Sequence, residues 1–299
     1  MERRQLEYLV AIVEHGGFTR AAKALHVAQP SLSRAISKLE RQLGVSLFHR
    51  VGRNVVLSTA GELMADRARH VLRDLDALRA AAQAAGAGVV GRVDVAATSS
   101  SALEPIISTI AAMRKDHSSV TVSTWSARSA AEVIAMVLGG RCEVGVCGNA
   151  EQPAGQALVA YHLRDEEFLL VAPPGTKLGS DGTVTREELQ GLNFVAPQPA
   201  TAVRARLDRL AAAVGELHIV AEVGERGMVL PMVLQGIGVS LMPDGWESLA
   251  RRAGAEVYQL SPAESIPQWL VHRSQPLTSA AQAFIDTTLT LVMDKPGDR

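Results

Sequence analysis

A chain of 299 residues with 47% hydrophobic and 20% charged side chains is long enough for more than one domain, each with an ordinary buried core. A formal charge of −1 excludes a uniformly basic nucleic-acid coat, and two cysteines exclude a disulfide framework and point to the cytoplasm. The charge is unevenly spread, however. Residues 1–60 hold nine Lys/Arg against four acids, a net +5, which leaves −6 on residues 61–299. A basic head on an acidic body suits a phosphate-contacting module joined to something else. Met1-Glu2-Arg3-Arg4 runs straight into an amphipathic pattern, so no signal peptide is expected, and no apolar stretch reaches membrane-spanning length.

Leu6, Leu9, Val10 and Val13 repeat at helical spacing and predict a first amphipathic helix that ends at Glu14-His15-Gly16-Gly17. Thr19 to Gln42 then reads as two short helices joined at His26-Val27-Ala28, with Thr19 as the expected cap of the first and Pro30 just inside the second. Leu32, Ala35, Ile36, Leu39 and Leu43 form the buried face of that second helix. Gln29, Ser31, Ser33, Arg34, Ser37, Lys38 and Arg41 are left outward. Amide, hydroxyl and cationic groups near a helix N-terminus are what a major-groove reader needs. After Gly44, a helix stop, two short apolar runs flank Val51-Gly52-Arg53 and predict a hairpin with a cationic tip, which suits either a wing that reaches the DNA backbone or minor groove or a charged surface turn.

Thr59-Ala60-Gly61-Glu62 matches a capping box and opens a long helix. Gly61, Met64, Ala68, Val71, Leu75, Leu78, Ala82 and Ala85 follow at spacings of three and four, a seam that predicts pairing between two chains, with packing on the helix's own domain as the competing role; Met64, Ala68, Val71, Leu75, Leu78 and Ala82 are its candidate contacts. Gly86-Ala87-Gly88 reads as a linker. From Val89 onward short apolar runs alternate with helical patterns, which argues for parallel sheets with crossover helices. Strands are expected at 92–98, 120–125, 142–147, 168–172, 193–196, 218–223 and 238–242, and helices at 102–114, 130–138, 203–214, 228–234 and 280–292. Two α/β lobes should divide near Tyr161–Asp165, with a return crossing near Ile266–Gln268.

The stretch GGFTRAAKALHVAQPSLSRAISKLERQLGVSLFHR, a basic turn, and then LSTAGE resembles the DNA-binding head of LysR-type transcriptional regulators. The match is specific over about the first sixty residues. It continues more weakly through Gly236-Ile237-Gly238-Val239 and Pro243, while Glu143 stands where the family usually carries aspartate. The resemblance implies a bacterial, sequence-specific transcriptional regulator that is not an enzyme and has no catalytic or metal site. It implies a winged helix-turn-helix over 1–58, a dimerising linker helix and hinge over 59–88, and an effector domain over 89–299 like periplasmic binding proteins. Lobe I would span about 89–162 and 268–299, and lobe II about 163–267. The implied partners are double-stranded DNA, a small-molecule effector in place of a cofactor, further copies in a homodimer or homotetramer, and RNA polymerase.

Within the head, Gln29, Pro30, Ser33 and Arg34 are the candidates for base edges, where Arg can take guanine and Gln adenine bidentately. Arg4, Arg20, Lys38, Arg50 and Arg53 suit phosphate or minor-groove contacts, and Thr19 and Ser31 complete the DNA-facing set. An effector pocket is expected between the lobes, at helix N-termini that favour an anion. The turn Thr98-Ser99-Ser100-Ser101 matches one that commonly touches the effector in the family, which makes Thr98, Ser99 and Ser100 candidates. Arg128 with Ser129, and Gln198 with Thr201, occupy two further turns. These hydroxyls, an amide and a guanidinium suit a small carboxylate or phosphate, although helix capping and surface ion pairing are competing roles for them. Cys142 and Cys147, five apart, read as buried structural thiols rather than a redox pair. The eight histidines show no metal-ligand spacing. Two rival readings are an effector-independent DNA binder and an α/β enzyme with a DNA-binding accessory head; the sequence holds no GxSxG elbow, P-loop or strand-borne GxGxxG to favour the enzyme.

Overall fold

A computed structural model describes residues 1–51, 54–98, 101, 103–199, 201–215 and 217–294. The chain forms two compact units, one carrying residues 1–91 and the other most of residues 92–294. The first contains α1 (Arg3–Glu14), α2 (Phe18–Ala24), α3 (Gln29–Leu43), a hairpin of β1 (Phe48–Val51) and β2 (Asn54–Leu57), and the long α4 (Thr59–Ala87). Leu6, Leu9 and Ile12 of α1, Ala21 and Ala22 of α2, and Leu32, Ile36 and Leu39 of α3 meet in one core. The Gln5 side chain links two of these helices, accepting from the Glu2 N–H at 2.8 Å and donating to the Ala35 carbonyl at 3.3 Å.

Helix ends follow local chemistry, with two differences from the sequence reading. α3 stops at Gly44, whose φ of 71° lies in the left-handed region and whose N–H donates to the Glu40 carbonyl at 2.8 Å. Gly17, not Thr19, is the cap of α2; Thr19 lies inside the helix and is exposed. Ser58, not Thr59, caps α4, accepting from the Gly61 N–H at 2.9 Å while its hydroxyl donates to the Ser46 carbonyl at 2.6 Å. Ser58 supplies the extended backbone of a side-chain cap, whereas Gly17 enters α2 at a φ of 146°, a conformation that favours glycine.

The seam of α4 divides along its length. Ala68 is buried in the core of the head itself, and Met64 packs against that core, so these two seam positions serve the head's own packing. Further along, Leu75 is half-buried, while Val71 and Leu78 are 42% and 68% exposed. Ala82 is helical, and its side chain lies outside the described set.

The second unit runs β3 (Gly91–Thr98), α5 (Ile106–Asp116), β4 (Val120–Ala127), α6 (Ala130–Leu138), β5 (Val144–Gly148), β6 (Leu158–Ala172), β7 (Thr183–Thr185), β8 (Asn193–Pro197), α7 (Ala202–Val214), β9 (His218–Val223), α8 (Val229–Leu234), β10 (Ser240–Pro243), α9 (Glu247–Arg252), β11 (Glu256–Arg273) and α10 (Ser279–Asp294). The main sheet is ordered β10-β6-β11-β5-β3-β4, with β7 on β11. β8 and β9 form a parallel pair, and β8 is bridged to the edge of β10 through Phe194 and Val239. The expectation of parallel sheets holds for β8 and β9 and is corrected for the main sheet, which is mixed. β3 and β5 are parallel, but β6 and β11, of 15 and 18 residues, pair antiparallel and run through both lobes.

Residues 256–273 carried no strand expectation, and they contain the stretch Ser261-Pro262-Ala263-Glu264. In the structure it is an irregularity inside β11, where the register shifts between Gln259 and Glu264, a place in a sheet that tolerates a residue with no N–H. Strand alternation then feeds cores on both faces. Phe168, Leu170 and Ala172 pack with Phe194 and Leu207, while Leu169 and Val171 pack with Val195 and Val233.

Candidate DNA-binding head and effector cleft

In the head, α3 presents Gln29, Pro30, Ser31, Arg34, Ser37, Lys38 and Arg41 as exposed residues over its buried Leu32, Ile36 and Leu39, and Ser33 is half-buried. Arg34 lies back along its own helix, its Nε donating to the Pro30 carbonyl at 3.3 Å. Arg20 donates to the Gly16 carbonyl. Arg4 stacks over the Tyr8 ring at 5.5 Å and donates to its hydroxyl at 2.8 Å. Lys38 pairs with Glu2 at 2.8 Å, and the ammonium holds the Glu2 carboxyl below the usual carboxylate range. Both members of that pair are exposed, so its strength is of the order that a phosphate can displace.

The hairpin is tied to the recognition helix by Glu40, a residue sequence reasoning left unassigned. Its Oε1 accepts from the N–H groups of Leu47 and Phe48, at 2.8 and 3.4 Å. Phe18 and Phe48 meet edge to face at 5.2 Å. Gly61 allows α4 to close on this junction, since a Cβ there would stand 2.1 Å from the Leu47 carbonyl oxygen. Arg50 lies on β1 with its side chain outside the described set, and Arg53 lies outside the described residues altogether.

In the second unit a buried polar cluster forms where β6 and β11 pass from one lobe to the other. Glu166 on β6 is 1% exposed, and Gln268 on β11 is fully buried. The Gln268 amide donates to the Glu104 carbonyl at 2.8 Å and to Glu166 Oε1 at 3.4 Å. Thr98, at the end of β3, is buried and donates to the buried Ser101 hydroxyl at 3.3 Å. Arg164, two residues before Glu166, takes both oxygens of Asp244 at 2.5 and 2.6 Å. Burial pushes the Glu166 carboxyl up to about 7, with Asp244 adding to the rise; the Arg164 and Arg226 guanidiniums and the Ser101 hydroxyl pull the other way. Burial likewise lowers the pKa of Arg226, a residue that also lines a small apolar recess with Pro197, Val229, Met242 and Trp246.

Of the residues nominated for the effector, Thr98 belongs to this cluster. Ser99 and Ser100 lie outside the described residues. Arg128 is exposed and paired with Glu132 at 3.7 Å, and Ser129 accepts from the Glu132 N–H at 3.2 Å at the start of α6. Thr201 caps α7 by accepting from the Arg204 N–H at 3.2 Å, beside an exposed Gln198. The cluster also holds Ser101, which closes the expected turn, and Arg164, Glu166, Arg226, Asp244 and Gln268, which the sequence did not single out. The one local signal was Arg164 and Glu166, two apart and so on one face of a strand. Cys142 and Cys147 are both buried, and burial pushes the Cys147 thiol up to about 12. Among the described residues no group of His, Cys, Asp or Glu is arranged to hold a metal ion, and no helix is long and apolar enough to cross a membrane.

A three-helix head with a hairpin, a long helix and a two-lobed α/β domain make up the architecture of a class of transcriptional regulators, and comparison with known proteins agrees. Residues 3–62 match the family described as bacterial regulatory helix-turn-helix protein, lysR family, and residues 86–291 match the LysR substrate binding domain. The chain belongs to the LysR family of transcriptional regulators. It is 30% identical over 248 residues to an uncharacterized HTH-type transcriptional regulator, YnfL, of Escherichia coli K12, covering 81% of this chain and 82% of that one. It is 31% identical over 250 residues to a probable hydrogen peroxide-inducible genes activator of Streptomyces viridosporus, covering 80% and 76% of the two chains. The crystal structure of full-length CbnR complexed with its target DNA superposes with a TM-score of 0.68 at 22% identity, covering 96% of this chain and 99% of that one.

Proposed function

We propose that this regulator holds double-stranded DNA with α3 in the major groove. Gln29, Pro30, Ser33 and Arg34 meet base edges, Thr19 and Ser31 lie alongside, and Arg4, Arg20, Lys38, Arg50 and Arg53 meet phosphates or the minor groove. The observation that carries this reading is the exposed polar and cationic face of α3 standing over a fully buried apolar face, on a head with a net charge of +5. A second copy joins through the exposed apolar positions Val71 and Leu78 of α4. A small molecule at the interlobe cluster of β6 and β11 biases how the pair holds DNA, and RNA polymerase is the partner that reads the result. The protein acts as a cytoplasmic regulator, not as an enzyme. CbnR, named for its complex with target DNA, supports the DNA reading by analogy of fold.

Fluorescence anisotropy on a duplex selected from a random-sequence library tests the premise. The logarithm of the binding constant should fall linearly as the logarithm of salt concentration rises, with a slope of about −0.9 per phosphate neutralised. A flat dependence would remove nucleic acid as the partner.

A further inference from the structure

Among the described residues, two acceptors at the centre of the interlobe cluster, Glu166 Oε2 and Gln268 Oε1, are buried with no hydrogen-bond partner. The orientation of the Gln268 amide is settled by its surroundings. Its nitrogen faces the Glu104 carbonyl at 2.8 Å and Glu166 Oε1 at 3.4 Å, both acceptors, so a flipped amide would set oxygen against oxygen on both sides. The free group on Gln268 is therefore a carbonyl oxygen that seeks a donor. Glu166 Oε2 sits on the adjacent strand, and its neighbour Ile266–Glu166 pairing places it two residues from Gln268 along β11.

The local charge weighs against the opposite ligand chemistry. Around this point stand the carboxylates of Glu166, Asp244 and Glu104 and the guanidiniums of Arg164 and Arg226. Arg164 is already engaged bidentately by Asp244, so it has little to offer an incoming anion. A carboxylate placed here would meet Glu166 head on. A molecule bearing N–H groups would satisfy both free acceptors at once.

We propose that the ligand of this cleft presents hydrogen-bond donors, as an amine, an amidine or the N–H edge of a neutral heterocycle, to Glu166 and Gln268. This replaces the anion anticipated from the serine and arginine turns, and it rests on the reading of the protein as a ligand-gated regulator. A cationic donor holds Glu166 in its ionised form, so binding releases the proton that the buried carboxyl carries at lower pH. Ionisation centred near 7 makes such a ligand bind about tenfold more tightly at pH 8 than at pH 6.

The test uses the full-length protein and matched probes of the same shape: acetamidine against acetate, benzamidine against benzoate, and adenine as the neutral donor. Tryptophan-detected melting and DNA anisotropy are followed at millimolar probe. The expected result is a raised midpoint with an amidine or adenine and none with acetate or benzoate. The amidine effect should be larger at pH 8 and reduced tenfold or more in affinity in Glu166→Gln. Gln268→Met, which keeps the volume and removes the second acceptor, should weaken amidine and adenine alike. If acetate or benzoate binds instead, more tightly at pH 6, the donor assignment is overturned and the ligand-gated reading stands. If no probe moves either the midpoint or DNA binding, both fall together.

Discussion

Glu166→Gln should change how the stability of the effector domain depends on pH. In the unfolded chain a glutamate releases its proton near 4.5, whereas burial between β6 and β11 delays release in the fold to about 7. The folded state thus binds the proton more tightly, and the stabilisation from that proton is fully present below 4.5. It is lost progressively as pH rises to about 7 and is gone above it. At about 1.36 kcal/mol for each pH unit, the interval amounts to about 3 kcal/mol. The side chain is 1% exposed, so no solvent discount applies. Urea unfolding of the full chain measures this cleanly, because Trp125, Trp246 and Trp269 all lie in the effector domain and tryptophan emission is blind to the head. The wild-type minus variant difference, in which other titrating groups cancel, should fall by about 3 kcal/mol between pH 4.5 and 8. Parallel curves across that range would mean that Glu166 is hydrated in the fold, and the buried-cluster account would be wrong.

Gly61→Ala forces a Cβ to 2.1 Å from a backbone carbonyl and 2.7 Å from Leu57 Cδ2. It should cost about 1–3 kcal/mol despite alanine's better helix propensity, seen as faster amide exchange across α3 and the hairpin. Leu78→Glu, at a 68% exposed apolar position of α4, should lower self-association measured by analytical ultracentrifugation while leaving the melting of the effector domain unchanged. Native protein at pH 8 should resist iodoacetamide at Cys147, whose thiol is pushed to about 12, and peroxide should leave DNA affinity unaltered even though one relative is named a peroxide-inducible genes activator. Rapid labelling of the folded protein would contradict that assignment.

The head was legible because its determinants are local. Leu32, Ile36, Leu39 and Gly44 sit at helical spacing and at a helix end, and the structure uses each as that spacing requires. The errors there are also local. Gly17 against Thr19 and Ser58 against Thr59 are choices between near neighbours that sequence chemistry alone does not separate. Ala68 is a different case: a small residue in a seam suits a dimer or its own core equally well, and here it packs in the core of the head. The cleft was illegible because its residues meet only through the sheet. Glu166 and Gln268 are 102 residues apart, and the strand that carries Gln268 was hidden by a proline-bearing irregularity. Asp165-Glu166-Glu167 looks like a solvated acidic run until strand alternation buries the middle carboxyl. Ser129 and Thr201 were drawn toward the ligand by the same chemistry that makes them helix caps.

The measurement that tests the central claim most directly is the affinity of full-length wild type and Arg34→Ala for a library-selected duplex and for a random duplex of equal length. With Arg34 at a base edge, the variant loses about 1–3 kcal/mol on the selected site and little on the random one, and its sequence preference relaxes. An equal loss on both duplexes would place Arg34 on the phosphate backbone, and no loss on either would take α3 out of the groove.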